Sequence, residues 1–152
     1  MREPITRHLE ALGRLCQARV ALFARGWQET LDGAHALAEQ ATADLITQPM
    51  DPAELTGDGA DSVAAVERAL WRASRLVPGS TCIHRALAAQ KMLTRRGFGA
   101  RVVIGLRKRR SQLEGHAWIE AWRAGSRCRA FWTEEAGYAA VVEPAKAQAS
   151  FR

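Results

Sequence analysis

The sequence predicts an α+β fold in which a helical region is followed by an antiparallel sheet. Apolar residues recur every three or four positions as far as residue 96, which is the period of amphipathic helices. From residue 100 onward they recur every second position, which is the period of strands. Because 47% of the residues are hydrophobic and 25% are charged, as in ordinary globular proteins, we expect one domain over 1–152. It divides into a helical region over 1–59 and a core over 60–152.

Two helices are predicted in the first region, over 5–24 and 27–46. In the first helix, apolar side chains repeat at helical spacing with arginines between them, so one face is apolar. In the second, Gly33 lies near the middle, where glycine costs about 1 kcal/mol relative to alanine. Residues 47–60 contain two prolines and two glycines, and this composition predicts an exposed connection.

Two more helices are predicted in the core region. The first covers 61–77, where the aspartate at its start is the expected cap and Pro78-Gly79 ends it. The second covers 82–96, with Ser80 or Thr81 as its cap and a glycine directly after its end. The cysteine at position 82 is therefore expected in the first turn of a helix.

Alternating apolar and polar residues predict the sheet. The basic cluster Arg107–Arg110 is interpreted as a solvated loop that joins the first two strands. His116 begins the second strand, and residues 123–126 are typical of a hairpin turn into the third. The predicted strands cover 100–106, 115–122, 127–132 and 138–142.

Charge and cysteine content limit the possible partners and locations. The net charge is +6, which attracts nucleic acid, acidic peptides and anionic membranes alike and so names no partner. No nucleic-acid-binding motif accompanies the charge, and no apolar run reaches the length of about 18 residues that a membrane span requires. The three cysteines form no close pair, so a disulfide framework is not expected and a cytoplasmic location is predicted.

Cys82 and His116 are the candidate catalytic pair. A thiol in the first turn of a helix faces unpaired backbone N–H groups and the positive end of the helix dipole, and both favour the thiolate. The same N–H groups can bind the oxyanion that forms when a thiolate attacks an amide carbonyl. Each residue alone is equally well explained as part of the packed interior. The order of nucleophile, strand and histidine favours a papain-like protease, with His116 as the base.

Three motifs carry a resemblance to a known family. They are Leu76-Val77-Pro78-Gly79-Ser80-Thr81-Cys82-Ile83-His84-Arg85-Ala86-Leu87, then RRGFGARVVIGLRK, then Gly115-His116-Ala117-Trp118-Ile119-Glu120. In their order and separations, these motifs resemble those of the lasso-peptide leader peptidases, which are transglutaminase-like cysteine proteases. The resemblance spans residues 60–125.

The resemblance implies a cysteine peptidase that removes the leader from a ribosomally made lasso-peptide precursor through a Cys–His thioester mechanism. It implies no cofactor. Its expected partners are the precursor leader peptide, a separate leader-recognition protein and the ring-forming cyclase. Because the N-terminal region contains helices only, the chain resembles the stand-alone form of these proteases and not the form with a fused recognition domain.

The third catalytic residue is the point at which the family pattern fails. The family uses an aspartate after the histidine to orient the imidazole, but no aspartate follows Asp61 in this chain. Glu120 is predicted to be structural, because four residues along a strand separate it from His116 by roughly 13 Å. A hairpin that pairs position 116 with position 133 puts Glu135 on the face of His116, and a one-residue shift substitutes Glu134. We take Glu134 as the third member and Glu135 as the alternative. Aligning the turn glycines instead places the expected aspartate near Ala130, so either the carboxylate has moved or the site is a dyad.

Three other functions compete with proteolysis. Two thiols and two imidazoles offer the donors that zinc prefers, although positions 82 and 84 would point to different sides of a helix. The basic charge and the missing aspartate favour a basic peptide-binding protein or an inactive scaffold. A transglutaminase-like acyl transferase would use the same thioester and accept an amine instead of water. The role of His84 is left open. The four candidate zinc ligands are Cys82, His84, His116 and Cys128.

Overall fold

Three helices precede a four-stranded sheet in the part of the chain that this computed structural model describes. That part covers residues 3–43, 57–123, 126–131 and 137–140. The helices are α1 (Glu3–Ala43), α2 (Asp58–Ser74) and α3 (Cys82–Thr94). The strands are β1 (Gly99–Arg109), β2 (Gln112–Arg123), β3 (Ser126–Ala130) and β4 (Ala139–Ala140). Helices first and an antiparallel sheet second make this an α+β fold, as predicted.

Helix α1 is interrupted at Gly26, between the two helices that the sequence predicts. Gly26 has φ 78° and ψ 178°, a conformation that a helix cannot contain and that glycine adopts at little cost. The hydroxyl of Thr30 donates to the carbonyls of Gly26 and Ala21, at 2.7 and 3.2 Å, and so joins the two sides of the break. The prediction of two helices is confirmed, while residues 44–46 of the second lie outside the described residues.

Helix α2 starts earlier than its sequence predicts. Gly57 precedes the helix with φ 59°, and its carbonyl accepts a hydrogen bond from the N–H of Asp61 at 3.0 Å. Asp61 is therefore inside the first turn and is not the cap, so the predicted start was wrong. Residues 58–60 of the predicted connection are helical, and 47–56 lie outside the described residues. The helix ends at Ser74, three residues before the predicted Val77.

Helix α3 starts at the predicted residue. Thr81 is its N-cap residue with φ −111°, and Cys82 is its first residue. The helix ends at Thr94 with Arg95 as its C-cap, and Gly97 follows with φ 77°. A glycine in the left-handed region commonly ends a helix, so the predicted end near residue 96 was close to the observed one.

The sheet has the strand order β3-β2-β1-β4, and every neighbouring pair is antiparallel. Strands β1 and β2 pair from Gly99 opposite Trp122 to Arg109 opposite Gln112. The basic cluster is therefore mostly strand, and its prediction as a loop was wrong. The cross-strand ion pair between Arg107 and Glu114, at 2.6 Å, stabilises the extended hairpin by offsetting the positive charge.

Strand β3 pairs with β2 in the register expected from the hairpin prediction. Ile119 lies opposite Ala130, which is the register that would place position 133 opposite position 116. The strand ends at Ala130, however, because Phe131 has φ 61° and turns the chain out of the sheet. The predicted end at residue 132 was therefore too late. Strand β4 pairs with β1 at Gly105 opposite Ala140, and 141–142 of the predicted last strand lie outside the described residues.

Helix α3 is the central element of the core. It packs against α1 and α2 on one side and against β1 and β2 on the other. Gln90 is the buried polar residue of this core, with 1% of its surface exposed. Its amide donates to the carbonyl of Ala34 in α1 at 2.7 Å and to that of Ala100 in β1 at 3.0 Å. Gln90 thus ties three elements together around α3.

None of the helices within the described ranges combines the length and the apolar character that crossing a membrane requires.

Candidate active site

Cys82 occupies the position that the sequence predicts, at the start of α3. It is a free cysteine, half-buried, and it packs against the hydrophobic core. As the first helical residue after the Thr81 cap, it lies beside backbone N–H groups that have no acceptor in the preceding turn of helix. These N–H groups can therefore bind a negative charge that develops next to the sulfur.

His84 serves the start of the same helix and is not available as a base. Its Nδ1 accepts a hydrogen bond from the N–H of Thr81 at 3.1 Å and lies 2.8 Å from the Thr81 hydroxyl oxygen. Because Nδ1 accepts, the neutral ring carries its proton on Nε2. Burial lowers the pKa of His84 below its ordinary value, and the charges of Arg19 and Arg85 lower it further. The open question about His84 is thus answered in favour of a structural role.

Arg85 brings a positive charge to the vicinity of Cys82. Its guanidinium lies over the ring of Trp71 in α2, 4.1 Å from the centroid. Burial lowers the pKa of Arg85, and the negative charge of a Cys82 thiolate acts in the opposite direction. An arginine remains charged at neutral pH despite such a shift. The positive charge of Arg85 and the N-terminal end of the α3 dipole therefore both lie near the sulfur.

His116 lies on β2, the strand against which α3 packs. Two aromatic rings contact its imidazole. The ring of Trp118 stacks at a centroid distance of 6.3 Å, and the ring of Tyr138 lies 5.1 Å away. Nε2 of His116 is 2.7 Å from the carbonyl oxygen of Phe131. A carbonyl only accepts, so Nε2 must donate. In the neutral ring, Nδ1 is then the nitrogen with the free electron pair, which is what a general base requires.

The carbonyl that holds His116 belongs to a residue with its own side-chain partner. The N–H of Phe131 donates to Oε1 of Glu67, in α2, at 3.0 Å. Sequence reasoning missed both Glu67 and Phe131. A helical glutamate and an aromatic residue at a strand end have no distinguishing pattern, and the contact joins residues 64 positions apart. Glu67 and Phe131 come together only because α2 packs against the end of β3.

Most of the chain matches a known protein family. Residues 4–143 match the sequence model of the transglutaminase-like superfamily. The chain belongs to the transglutaminase-like superfamily. This superfamily includes cysteine proteases and acyltransferases, which use the kind of nucleophile that Cys82 offers. Neither the curated proteins nor the solved structures contain a significant match to the chain.

The positions considered around the third catalytic residue have three different outcomes in this transglutaminase-like chain. Glu134 and Glu135 lie outside the described residues, so the prediction for them stays a prediction. Ala130 is 2% exposed and pairs with Ile119, and it brings no carboxylate. Glu120 bonds to Arg101 at 2.7 Å and lies 3.4 Å from Arg129, which confirms its structural role.

The alternative zinc site does not assemble in the described part of this transglutaminase-like fold. Its four candidate ligands are all described, and no group of three His, Cys, Asp or Glu side chains within the described residues is arranged to hold a metal ion. The electron pair on Nδ1 of His84 is already used at the cap of α3, so one of the four proposed donors is engaged elsewhere.

Proposed function

We infer that this chain is a cysteine peptidase that removes the leader from a lasso-peptide precursor, with Cys82 as nucleophile and His116 as base. Membership of the transglutaminase-like superfamily supports the thiol chemistry. The motifs around both residues resemble those of the leader peptidases, which supports the substrate. The arrangement of His116 supports the assignment of the base.

The observation that carries the proposal is the hydrogen bond from Nε2 of His116 to the carbonyl of Phe131. It keeps the proton on Nε2 and turns Nδ1 into the basic nitrogen. A cysteine at the start of a helix that packs on the same strand supports the same pairing of nucleophile and base.

The proposed reaction proceeds in two acyl-transfer steps. Nδ1 of His116 takes the proton from Cys82, and the sulfur attacks the carbonyl carbon at the leader–core junction. The negative charge moves to the carbonyl oxygen, which backbone N–H groups at the start of α3 stabilise. The C–N bond then breaks as His116 returns its proton to the leaving amine. Water, deprotonated by His116, attacks the thioester and releases the leader as a carboxylate with the thiol restored.

A second candidate function is acyl transfer by the same thioester. Superfamily membership favours it to the same degree as hydrolysis, because both reactions share the first step. An amine would replace water in the second step and leave a new amide bond. The mass of the product separates the two, since hydrolysis leaves a free carboxylate.

We also assign the partner surface to the helical N-terminal half and the basic hairpin. Phe23 in α1 is 93% exposed, and Leu9 and Val20 on the same helix are 65% and 64% exposed. Apolar side chains grouped in this way on a surface helix are typical of a binding face for another protein. This face supports docking of a leader-recognition protein. In the hairpin, Arg109 and Arg110 are exposed and support binding of the leader or of the cyclase.

The central test is cleavage of a lasso-peptide precursor in the presence of a leader-recognition protein. We expect Cys82→Ala to abolish cleavage and His116→Ala to reduce it by about 100-fold or more, the usual contribution of a general base. Cys128→Ala is the matched control, because Cys128 is a free cysteine on β3 and away from the α1 surface, and it should cleave as the wild type does. Intact cleavage by Cys82→Ala would remove Cys82 as the nucleophile, and no cleavage by the wild type would favour a binding or scaffold protein instead.

The partner surface has a separate test. Phe23→Ser should weaken the binding of the recognition protein, and Leu113→Ser is its control because Leu113 is also exposed, at 73%, but lies in the hairpin. Charge reversal of Arg109 and Arg110 should weaken binding of the leader or of the cyclase. Unchanged binding in a variant would show that the corresponding surface has another use.

A further inference from the structure

We propose that Glu67 is a positioning residue for His116, and that it acts through the backbone of Phe131. The Glu67 carboxylate, on α2, thereby orients the imidazole indirectly, through one intervening residue. In the family that the sequence resembles, an aspartate side chain orients it directly. The proposal rests on the proposed function, because it assigns Glu67 to the same Cys82–His116 pair.

Phe131 has an unfavourable backbone conformation. Its φ of 61° lies in the left-handed region, where the side chain of an ordinary residue is crowded by the backbone. The residue is buried, with 6% of its surface exposed, so the conformation is not that of a freely moving loop. A bulky residue stays in this region only where its surroundings hold it there.

Glu67 and His116 bind the two polar backbone groups of Phe131. Glu67 accepts from the Phe131 N–H at 3.0 Å, and the Phe131 carbonyl accepts from Nε2 of His116 at 2.7 Å. Only φ and ψ of Phe131 separate these two groups, and the burial of the residue restricts both angles. With these angles held, fixing the direction of the N–H restricts the direction of the carbonyl, and hence the plane of the imidazole.

Helix α2 also contacts the Phe131 side chain. The ring of Trp71 lies 6.3 Å from the Phe131 ring, and Trp71 is four residues after Glu67, on the same face of α2. Helix α2 therefore binds the backbone of Phe131 through Glu67 and contacts its ring through Trp71. The guanidinium of Arg85, from α3, lies over the ring of Trp71, which connects this support to the helix that carries Cys82.

A carboxylate is well suited to this position. A hydrogen bond to an ionised acceptor is stronger than one to a neutral acceptor, and this favours a fixed position for the Phe131 N–H. The Phe131 carbonyl, which can only accept, holds the proton on Nε2 of His116. Nδ1 is then left to accept a proton, which is the requirement at the start of the reaction.

The test compares Glu67→Met with Glu67→Gln. Methionine has a similar size and helix propensity but accepts no comparable hydrogen bond, whereas the glutamine oxygen can accept the Phe131 N–H. The readout is the rate of alkylation of Cys82 by iodoacetamide as a function of pH, followed at the Cys82 peptide by mass spectrometry. Asp61→Asn is the control, because it removes an exposed carboxylate from the same helix.

We expect Glu67→Met to lose about tenfold or more of the alkylation rate near neutral pH, where the thiolate depends on His116, and to match the wild type at high pH, where the thiol ionises alone. Glu67→Gln should restore most of the rate, and Asp61→Asn should behave as the wild type. A purely structural role would lower the melting temperature without changing the pH profile. If Glu67→Met does not fold, Glu67→Ala, which leaves less apolar surface beside the site, takes its place.

The outcomes separate this proposal from the function on which it rests. A wild-type profile that does not change in His116→Ala would remove the Cys82–His116 pair itself. A profile that depends on His116 but is the same in folded Glu67→Met would leave the pair intact and remove only the role of Glu67. The ¹⁵N chemical shifts of the His116 ring provide a second measurement, since Glu67→Met should weaken the signature of a donating Nε2–H and Asp61→Asn should not.

Discussion

The two ends of helix α3 use their polar side chains in different ways. Toward the C-terminal end, the Gln90 amide donates to two carbonyls, and Arg96, just after the helix, bonds to Glu10 and to the carbonyl of Met92. At the N-terminal end, the Ser80 hydroxyl and Nε of Arg85 are buried, and neither has a hydrogen-bond partner among the described residues. These side chains toward the C-terminal end thus have hydrogen-bond partners within the protein. The two polar atoms at the N-terminal end, near Cys82, are still able to bind a partner.

The difference separates stability from chemistry along one helix. A buried polar group with good partners contributes to the free energy of unfolding, and its loss leaves those partners unpaired. A buried polar group that lacks a partner lowers the free energy of unfolding, because its desolvation is not compensated, and it can still bind a ligand. We therefore expect substitutions toward the C-terminal end to change stability with Cys82 reactivity unaffected, and those at the N-terminal end to change reactivity or the pH dependence of stability.

The largest effect on stability is expected from Gln90→Met. Methionine fills a similar volume but leaves the carbonyls of Ala34 and Ala100 without their shared donor, so the free energy of unfolding should fall by about 2 kcal/mol. Urea denaturation measures this loss. Gln112→Met, at an exposed position on β2, is the control and should change it little. A loss of Cys82 alkylation at full stability would break the contrast between the two ends.

A smaller loss is expected from Glu10→Gln, which removes the ion pair with Arg96 between α1 and the end of α3. The two side chains are partly exposed, at 22% and 27%, so the cost at neutral pH should be about 1 kcal/mol. The hydrogen bond from Arg96 is the main cause that lowers the pKa of Glu10. The contribution is therefore present above the pKa of the unfolded glutamate and is lost as pH falls through the lowered value.

Denaturation of wild type and Glu10→Gln at neutral and acidic pH checks this sign. The difference between them should be largest at neutral pH and should shrink in acid. Glu29→Gln is the control, because Glu29 is exposed on the same helix. A difference that grows in acid would contradict the assignment.

The smallest effect is expected from His84→Gln, at the N-terminal end of α3. Glutamine can accept the Thr81 N–H as a capping residue does, so stability at neutral pH should be unchanged. Because the folded pKa of His84 lies below the unfolded one, its stabilising contribution is full above the unfolded value and is lost as pH falls below it. The wild type should thus lose more in melting temperature than His84→Gln between about pH 7.5 and about pH 5.5. Equal losses would mean that another group titrates.

Local patterns were sufficient for most of the fold. The helices and strands follow from apolar spacing, which depends only on neighbours in the chain. The glycines at positions 26 and 97 lie where the predicted helices end, and Cys82 is at the predicted first turn. The error over the basic cluster occurred where a cross-strand contact outweighs the local pattern. Strand β1 continues through the basic cluster because Glu114 on the facing strand pairs with Arg107.

The sequence by itself determined the order of elements, the register of the hairpin and the two residues proposed for the chemistry, since each depends on spacing within a short stretch. Tertiary structure alone decided what holds His116. The carbonyl of Phe131 and the carboxylate of Glu67 come together because α2 packs beside the end of β3. A backbone carbonyl is present at every residue, so its direction leaves no mark in the sequence, and only the packing of distant elements gives it a partner.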